Sequence, residues 1–111
     1  MKRGVIITQP LNFLSNDILF CLIENTTLYN YHLCIVRSTH NSESLFKTLE
    51  RKAKDSSVSI SVINNNNNNV SQVKAASRYL KSRDDIESVL VLNKKKMSLI
   101  ANFESFLTLL K

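Results

Sequence analysis

Residues 31 to 37 read YHLCIVR, a short run of apolar and β-branched side chains with polar residues before and after it. A run of this length and composition predicts a strand that is buried on both faces. Such strands belong to parallel sheets that carry helices on both sides, so this stretch points to an α/β fold. The segments on either side of it extend the same pattern.

On the N-terminal side, GVIIT at residues 4 to 8 has the same buried-strand character and is closed by Pro10. Between the two strands, apolar residues recur every four positions in SNDILFCLIENTTLYN, with Ser15 as a helix cap and Asp17 in the first turn. This part of the chain therefore predicts a strand, a helix and a second strand in succession.

On the C-terminal side, HNSESLFKTLERKAKD predicts an amphipathic helix over residues 43 to 54. SVSISVI, residues 57 to 63, alternates apolar side chains with serines, which indicates an edge strand or a half-covered strand. Apolar residues at helical spacing then predict a helix over about residues 70 to 82.

The last third has two interpretations. ESVLVLN, residues 87 to 93, could be a fourth buried strand followed by a helix from Ser98. Alternatively, DDIESVLVLNKK is helical, MSLIA is the strand and Asn102 caps a final helix FESFLTLLK. β-branched content favours the first. Either one predicts a single α/β domain over residues 1 to 111, with a mainly parallel sheet of about four strands flanked by helices.

Six consecutive asparagines, residues 64 to 69, lie where the third strand must connect to the third helix. Asparagine disfavours the interiors of strands and helices and tolerates turns. Polar homopolymer tracts are usually disordered, and long loop insertions cost little entropy. The run therefore predicts a mobile, exposed loop that serves as a spacer and not as a site.

The chain has 15 lysines and arginines against 9 acidic residues, a net charge of +6, and most of the excess lies in residues 42 to 111. Such a charge favours anionic partners. No apolar run is long enough to span a bilayer and no secretion signal is evident, which predicts an intracellular protein, cytoplasmic or nuclear, without a membrane partner. Cys21 and Cys34 are expected to be reduced and buried.

Chemical motifs are scarce. Gly4 is the only glycine, which excludes the dinucleotide-binding fingerprint and the P-loop. No Ser-His-Asp or Cys-His motif is evident. His32 and Cys34 share a strand face with His40 nearby, but their spacing is not that of a structural zinc site. We therefore predict no catalytic, cofactor-binding or metal-binding residues, which favours a binding role over an enzymatic one.

Basic residues recur at helical spacing in two predicted helices and cluster once more near the C-terminus. As a candidate nucleic-acid-binding set they are Lys47, Arg51 and Lys54, then Lys74, Arg78 and Lys81, then Lys94, Lys95 and Lys96 in a predicted loop. They would follow a phosphate backbone if the two helical stripes lay on the same side. The alternative is an ordinary solvated helix face.

ERKAKD, residues 50 to 55, resembles the active-site motif of the XPF family of structure-specific nucleases, which is Glu-Arg-Lys, three residues and then Asp. Here only two residues separate Lys52 from Asp55. Under the second interpretation of the last third, the order of elements from YHLCIVR onward also resembles the second half of an XPF-type nuclease domain. The metal-binding acids of that family are missing. The resemblance thus implies a catalytically dead member, of the kind that pairs with a partner and helps to bind branched DNA.

Together these features predict a non-catalytic α/β binding module within a larger, nucleic-acid-associated assembly, with a second copy or another chain as protein partner. One alternative is a protein–protein adaptor that docks through the serine face of SVSISVI or through the tail FESFLTLLK. Another is a small-ligand or enzyme site at the carboxyl ends of the strands. The polar residues that would converge there are Thr8, Gln9, Asn12, Asn93 and Lys94.

Overall fold

Strands and helices alternate along the chain in the computed structural model, which describes residues 1–8, 16–37, 43–55, 60–65 and 68–111. The strands are β1 (Lys2–Ile7), β2 (Tyr31–Arg37), β3 (Ile60–Asn64) and β4 (Ile86–Leu92). The helices in these ranges are α1 (Asn16–Glu24), α2 (Glu43–Asp55), α3 (Asn69–Lys81), α4 (Lys94–Ser98) and α5 (Phe103–Leu110).

The four strands form one parallel sheet in the order β3-β2-β1-β4. Val5 of β1 lies opposite Leu33 of β2 on one side and opposite Leu90 of β4 on the other. The predicted α/β class with a mainly parallel sheet of about four strands is confirmed. Residues 60–63 of the alternating segment SVSISVI lie in β3, which is an edge strand as the pattern indicated, and residues 57–59 lie outside the described ranges.

Each face of the sheet carries its own helices, because successive strand residues point to opposite sides. Val5 and Ile7 belong to the larger core, whereas Ile6 belongs to the smaller one. The larger core includes helix side chains from α1, α2, α4 and α5, namely Leu19, Leu22, Leu49, Met97 and Phe106. Among the described helices, α3 is the one that closes the smaller core, through Ala76 and Leu80. Consequently α2 and α3 lie on opposite faces of the sheet.

The last third follows the first of its two interpretations, since residues 86 to 92 form β4. The alternative, with a helix there and a strand at MSLIA, is wrong. That alternative also supplied the layout that resembles an XPF-type domain, and the resemblance stays a prediction. A helix starting at Ser98 is likewise not found: α4 ends at Ser98 and α5 begins at Phe103. Asn102 causes the separation, because its side chain accepts a hydrogen bond from Ser105 N and starts a new helix.

The two ends of the asparagine run belong to the flanking elements. Asn64 is the last residue of β3, and the backbone N–H of Asn65 donates to Arg37 O at 2.9 Å. Asn68 caps α3 by accepting from Ser71 N at 2.9 Å, and Asn69 is the first helical residue. The predicted loop over residues 64 to 69 is therefore too long. Residues 66 and 67 lie outside the described ranges, and the predicted mobility stays a prediction.

The tail FESFLTLLK forms α5 and belongs to the core. Phe106 is fully buried and its ring meets Tyr31 of β2 edge to face, with the two centroids 5.3 Å apart. The ring of Phe103 packs against that of Phe106, with the two ring centroids 5.7 Å apart. The apolar face of this helix is therefore already covered, which argues against the tail as a free docking segment.

Candidate functional site

The exposed face of α3 carries a basic groove. Lys74, Arg78 and Lys81 recur every three to four residues, so they lie on one side of the helix, away from Ala76 and Leu80 in the core. The three cations line a single groove of about 350 Å³, which Val73 and Ser77 complete. We call this the α3 groove. The three basic residues predicted to form a stripe on this helix therefore line the same groove.

Within the described residues, no acidic side chain pairs with the cations of the α3 groove. The helix from residue 69 to residue 81 contains no acidic residue. None of the three side chains forms an ion pair or a side-chain hydrogen bond with the described part of the chain. All three are exposed. An anion approaching the groove would therefore meet three charges without displacing an internal partner.

The first predicted stripe is exposed but lies elsewhere. Lys47, Arg51 and Lys54 all face solvent on α2, which covers the opposite face of the sheet from α3. Glu50 interrupts the stripe and binds Arg37 of β2 at 2.7 Å. The condition that both stripes lie on the same side is not met, because the sheet separates α2 from α3.

The lysine cluster near the C-terminus is helical and not in a loop. Lys94 is the first residue of α4, and Asn93 caps this helix by accepting from Lys96 N at 2.8 Å. Lys95 is exposed, Lys96 is half-buried, and the side chain of Lys94 lies outside the described set. Met97 anchors α4 in the larger core, so the cluster does not share a face with the α3 groove.

Two of the polar residues expected at the carboxyl ends of the strands are adjacent in space. Ile7 and Leu92 are paired across β1 and β4, so Thr8 and Asn93 follow directly at neighbouring positions. This edge, at the carboxyl ends of the strands, is the one where α/β sheets usually bind ligands, and the helices that follow β1 and β4 both pack in the larger core. Gln9 and Asn12 lie outside the described residues.

A chain of hydrogen-bonded polar side chains crosses from β2 to the end of α3. His32 Nε2 lies 2.7 Å from Ser61 Oγ, and Ser61 Oγ lies 2.7 Å from the hydroxyl of Tyr79. Arg83 Nη1 donates to the Tyr79 hydroxyl at 3.3 Å, and the same guanidinium donates to both carboxylate oxygens of Asp85 at 3.1 and 3.2 Å. We call these five residues the polar relay.

The end of the polar relay is a charged pair. The hydrogen bond to Asp85 raises the pKa of Arg83, and the hydrogen bond from Arg83 lowers the pKa of Asp85. His32, at the other end, is fully buried. The relay therefore joins a fixed cation near the surface to an imidazole inside the protein.

Sequence reasoning did not find the polar relay. Its members come from two strands, one helix and a connection, and His32 and Ser61 are 29 positions apart. The one available signal was a histidine inside the otherwise apolar YHLCIVR, which had to find a polar partner once the strand was buried. The serine face of SVSISVI supplies that partner.

The two cysteines differ in their surroundings. Cys34 is fully buried, as predicted, and burial raises the pKa of its thiol to about 12. Cys21 is exposed, and the expectation that it is buried is wrong. Leu19, Leu22 and Ile23 fill the core-facing side of α1, which leaves Cys21 on its outer side. The thiols lie on opposite faces of the sheet, and both are free.

No protein-family model, curated protein or solved structure matches this chain. Among the described residues, no helix has both the length and the apolar character required to cross a bilayer. The same residues include no group of three histidine, cysteine or acidic side chains arranged to hold a metal ion. The case for a function therefore rests on the geometry of the α3 groove and the polar relay.

Proposed function

We propose that the protein is a binding module that holds the phosphate backbone of a nucleic acid in the α3 groove. The observation that carries this proposal is the grouping of Lys74, Arg78 and Lys81 around one groove, with no counter-charge from the described part of the chain. Exposed cations of this kind bind phosphates mainly by releasing condensed counterions, without reading sequence. This proposal also places the protein in the cytoplasm or nucleus, where nucleic acids are found.

The dimensions of the groove suit a short stretch of backbone. With a rise of about 1.5 Å per residue, Lys74 and Lys81 are about 10 Å apart along the axis of α3, enough for about three phosphates. A site with three phosphate contacts is weak by itself. We therefore propose that the protein works within a larger assembly, in which a second copy or another chain supplies further contacts.

The salt dependence of binding reports how many phosphates the groove contacts. If three phosphates are bound, the logarithm of the binding constant should fall with the logarithm of salt concentration with a slope of about −2.7 for duplex DNA and about −2 for single strands. The measurement is fluorescence anisotropy with labelled duplex, single-stranded and branched DNA and with RNA. Branched DNA is included because the resemblance to XPF-type modules implies it.

The decisive comparison uses two matched triple variants. One replaces Lys74, Arg78 and Lys81 with glutamine. The control replaces Lys47, Arg51 and Lys54 with glutamine, which removes the same three charges from α2. Both variants keep a net charge of +3, so neither approaches the zero net charge at which proteins tend to self-associate and precipitate.

We expect the α3 variant to lose binding at least tenfold and to show a slope close to zero, while the α2 variant binds like the wild type. Equal losses in both variants would mean that the net charge alone attracts nucleic acid, which would contradict a site in the α3 groove. No binding by the wild type at low salt would exclude the proposal. Far-ultraviolet circular dichroism checks that each variant is folded.

A ligand site at the carboxyl ends of β1 and β4 is the second candidate. It is favoured by the adjacency of Thr8 and Asn93 at the position where such sheets usually bind ligands. Ligand binding there should be insensitive to the α3 substitutions and should weaken in Thr8→Val. A thermal-shift screen with small phosphorylated and carboxylated metabolites, repeated on that variant, tests this candidate.

A further inference from the structure

Ser61 lies in a groove that follows the open edge of the sheet. The groove has a volume of about 370 Å³ and runs along β3 between Glu50 and Lys54 of α2 on one side and Tyr79 of α3 on the other. Ser61 is half-buried and lines this groove, whereas His32 behind it has no exposed surface. A small molecule in the groove would therefore meet the serine and not the imidazole.

The polar relay allows one continuous direction of donation toward His32. The guanidinium of Arg83 is only a donor, so the oxygen of Tyr79 accepts from it. The Tyr79 hydroxyl can then donate to Ser61 Oγ, 2.7 Å away. In the histidine tautomer whose Nε2 carries no hydrogen, the hydroxyl of Ser61 donates in turn to His32 Nε2, also 2.7 Å away.

A serine whose hydroxyl donates to a histidine nitrogen, beside an open groove, has the geometry of an activated nucleophile. Tyr79 lies on the other side of Ser61 Oγ, at 2.7 Å, and fixes the position of the serine side chain. We propose that Ser61 is a nucleophile that accepts the acyl group of a small activated ester, with His32 as its general base.

The step balances as follows. Ser61 Oγ forms a bond to the carbonyl carbon while its proton moves to His32 Nε2. The bond between that carbon and the leaving oxygen then breaks, and the leaving group takes the proton from His32. The products are an acylated Ser61 and an alcohol or phenol. Water attacking the same carbon, with His32 again taking and returning a proton, releases the carboxylic acid and restores the serine.

Two features restrict the substrate. His32 becomes an imidazolium inside the protein during the step, and a buried charge is costly. We therefore expect slow turnover, and only with esters that have good leaving groups. Ile60 and Val62 line the groove, which favours a short apolar acyl chain, and Glu50 and Lys54 bring opposite charges to its rim.

The experiment treats the purified full chain with a biotin-tagged fluorophosphonate, followed by mass spectrometry to locate the adduct. The serine oxygen displaces fluoride from phosphorus, so the probe reports the same nucleophile. We expect one adduct, on Ser61, and none in Ser61→Ala. Ser88→Ala is the matched control, because Ser88 is an exposed serine on the other edge strand, β4. This control should label like the wild type.

His32→Gln should slow labelling by about 100-fold or more, the contribution expected of a general base. Tyr79→Phe should slow it less, because the hydroxyl only positions the serine. An absent adduct, or an adduct that persists in Ser61→Ala, would overturn the proposal. None of these outcomes depends on the α3 groove, because the neutral probe is attracted by no cation.

A second measurement keeps the proposal testable if His32→Gln or Ser61→Ala fails to fold. Ser61→Cys places a thiol at the same hydrogen-bond distance from the imidazole, where a neighbouring base increases the reactive thiolate form. Its alkylation by iodoacetamide should be at least tenfold faster than that of exposed Cys21, the reference thiol in the same chain. An equal or slower rate would contradict the activating role of His32.

Discussion

Tyr31 and Cys34 are three residues apart on β2, so they point to opposite faces of the sheet, and both are fully buried. Desolvation raises the pKa of the Tyr31 hydroxyl above its ordinary value, and the Coulombic effects of Cys21 and Tyr29 add to this. Desolvation also raises the pKa of Cys34 from 9.0 to about 12, which outweighs the opposing effect of the Arg83 cation. Both side chains therefore stay neutral in the folded protein at pH values where they ionise in the unfolded chain.

This difference predicts alkaline instability. A group whose pKa is raised on folding stabilises the protein fully below its unfolded pKa, and the contribution is lost as the pH rises toward the folded value. For Cys34 the loss should run from about pH 9 to about pH 12. Its slope should approach about 1.4 kcal/mol per pH unit. The measurement is the free energy of unfolding in urea at several pH values from 8 to 11.

The test variant is Cys34→Ala, which removes the ionisable group. It should be less stable than the wild type at pH 8, because a buried side chain is shortened, but its stability should fall less steeply with pH. Tyr31→Phe should flatten the remaining slope and also lose the hydrogen bond from the Tyr31 hydroxyl to Leu22 O. If Cys34→Ala and the wild type lose stability in parallel, the thiol is not the group responsible.

At the scale of single elements, asparagine caps explain where the helices begin. Asn68, Asn93 and Asn102 each accept a hydrogen bond from the backbone N–H three residues ahead, at the starts of α3, α4 and α5. Only Asn102 was recognised from sequence, and there within the interpretation that proved wrong. The N-cap of α3 could not be located from sequence, because the six asparagines are identical and no pattern distinguishes Asn68 from the others.

We expect Asn68→Ala to lower the free energy of unfolding by about 1 kcal/mol, the usual cost of losing an N-cap. Asn68→Asp should retain the stability, because a carboxylate accepts the same bond from Ser71 N and is favoured by the helix dipole. Urea denaturation of the three proteins makes the comparison. If alanine is as stable as aspartate at this position, the side-chain bond contributes nothing.

For the two basic stripes, helical spacing predicted which side chains are exposed but not where the helices lie in the fold. Spacing along α2 and α3 correctly predicted that Lys47, Arg51 and Lys54 on the one, and Lys74, Arg78 and Lys81 on the other, face solvent. It could not predict which face of the sheet each helix covers, because that depends on the direction in which the chain crosses the sheet. The two helices differ there, and α3 presents all three of its cations around a single groove.

At the scale of the whole molecule, the packing of the α3 layer on the sheet depends on Gly4. A Cβ atom at this position of β1 would lie 2.9 Å from Leu80 Cδ1 of α3 and 3.3 Å from Ile86 Cγ2 of β4. Leu80 is fully buried, so it has little room to move. The only glycine of the chain thus lets α3 approach the centre of the sheet.

We expect Gly4→Ala to lower the free energy of unfolding by about 1–2 kcal/mol through overpacking. In a Leu80→Ala background, the added methyl group partly fills the cavity and its cost should shrink or change sign. A double-mutant cycle measured by urea denaturation gives the coupling. Equal costs of Gly4→Ala in both backgrounds would show that Leu80 does not restrict this position.

The sequence by itself determined the α/β class, the bounds of β2 and the edge character of β3, because these depend on local periodicity and on apolar content. Residues 31 to 37 were predicted as a strand and form β2 with the same bounds. The exposure of the basic stripes follows from the same local patterns.

Only the tertiary structure decided which of these elements meet. His32, Ser61 and Tyr79 come together because β3 pairs with β2 in parallel and α3 then crosses to the far side of the sheet. Strand pairing and crossover direction are relations between distant segments, and no single segment encodes them. For this reason the α3 groove was foreseeable as a stripe, whereas the polar relay was not.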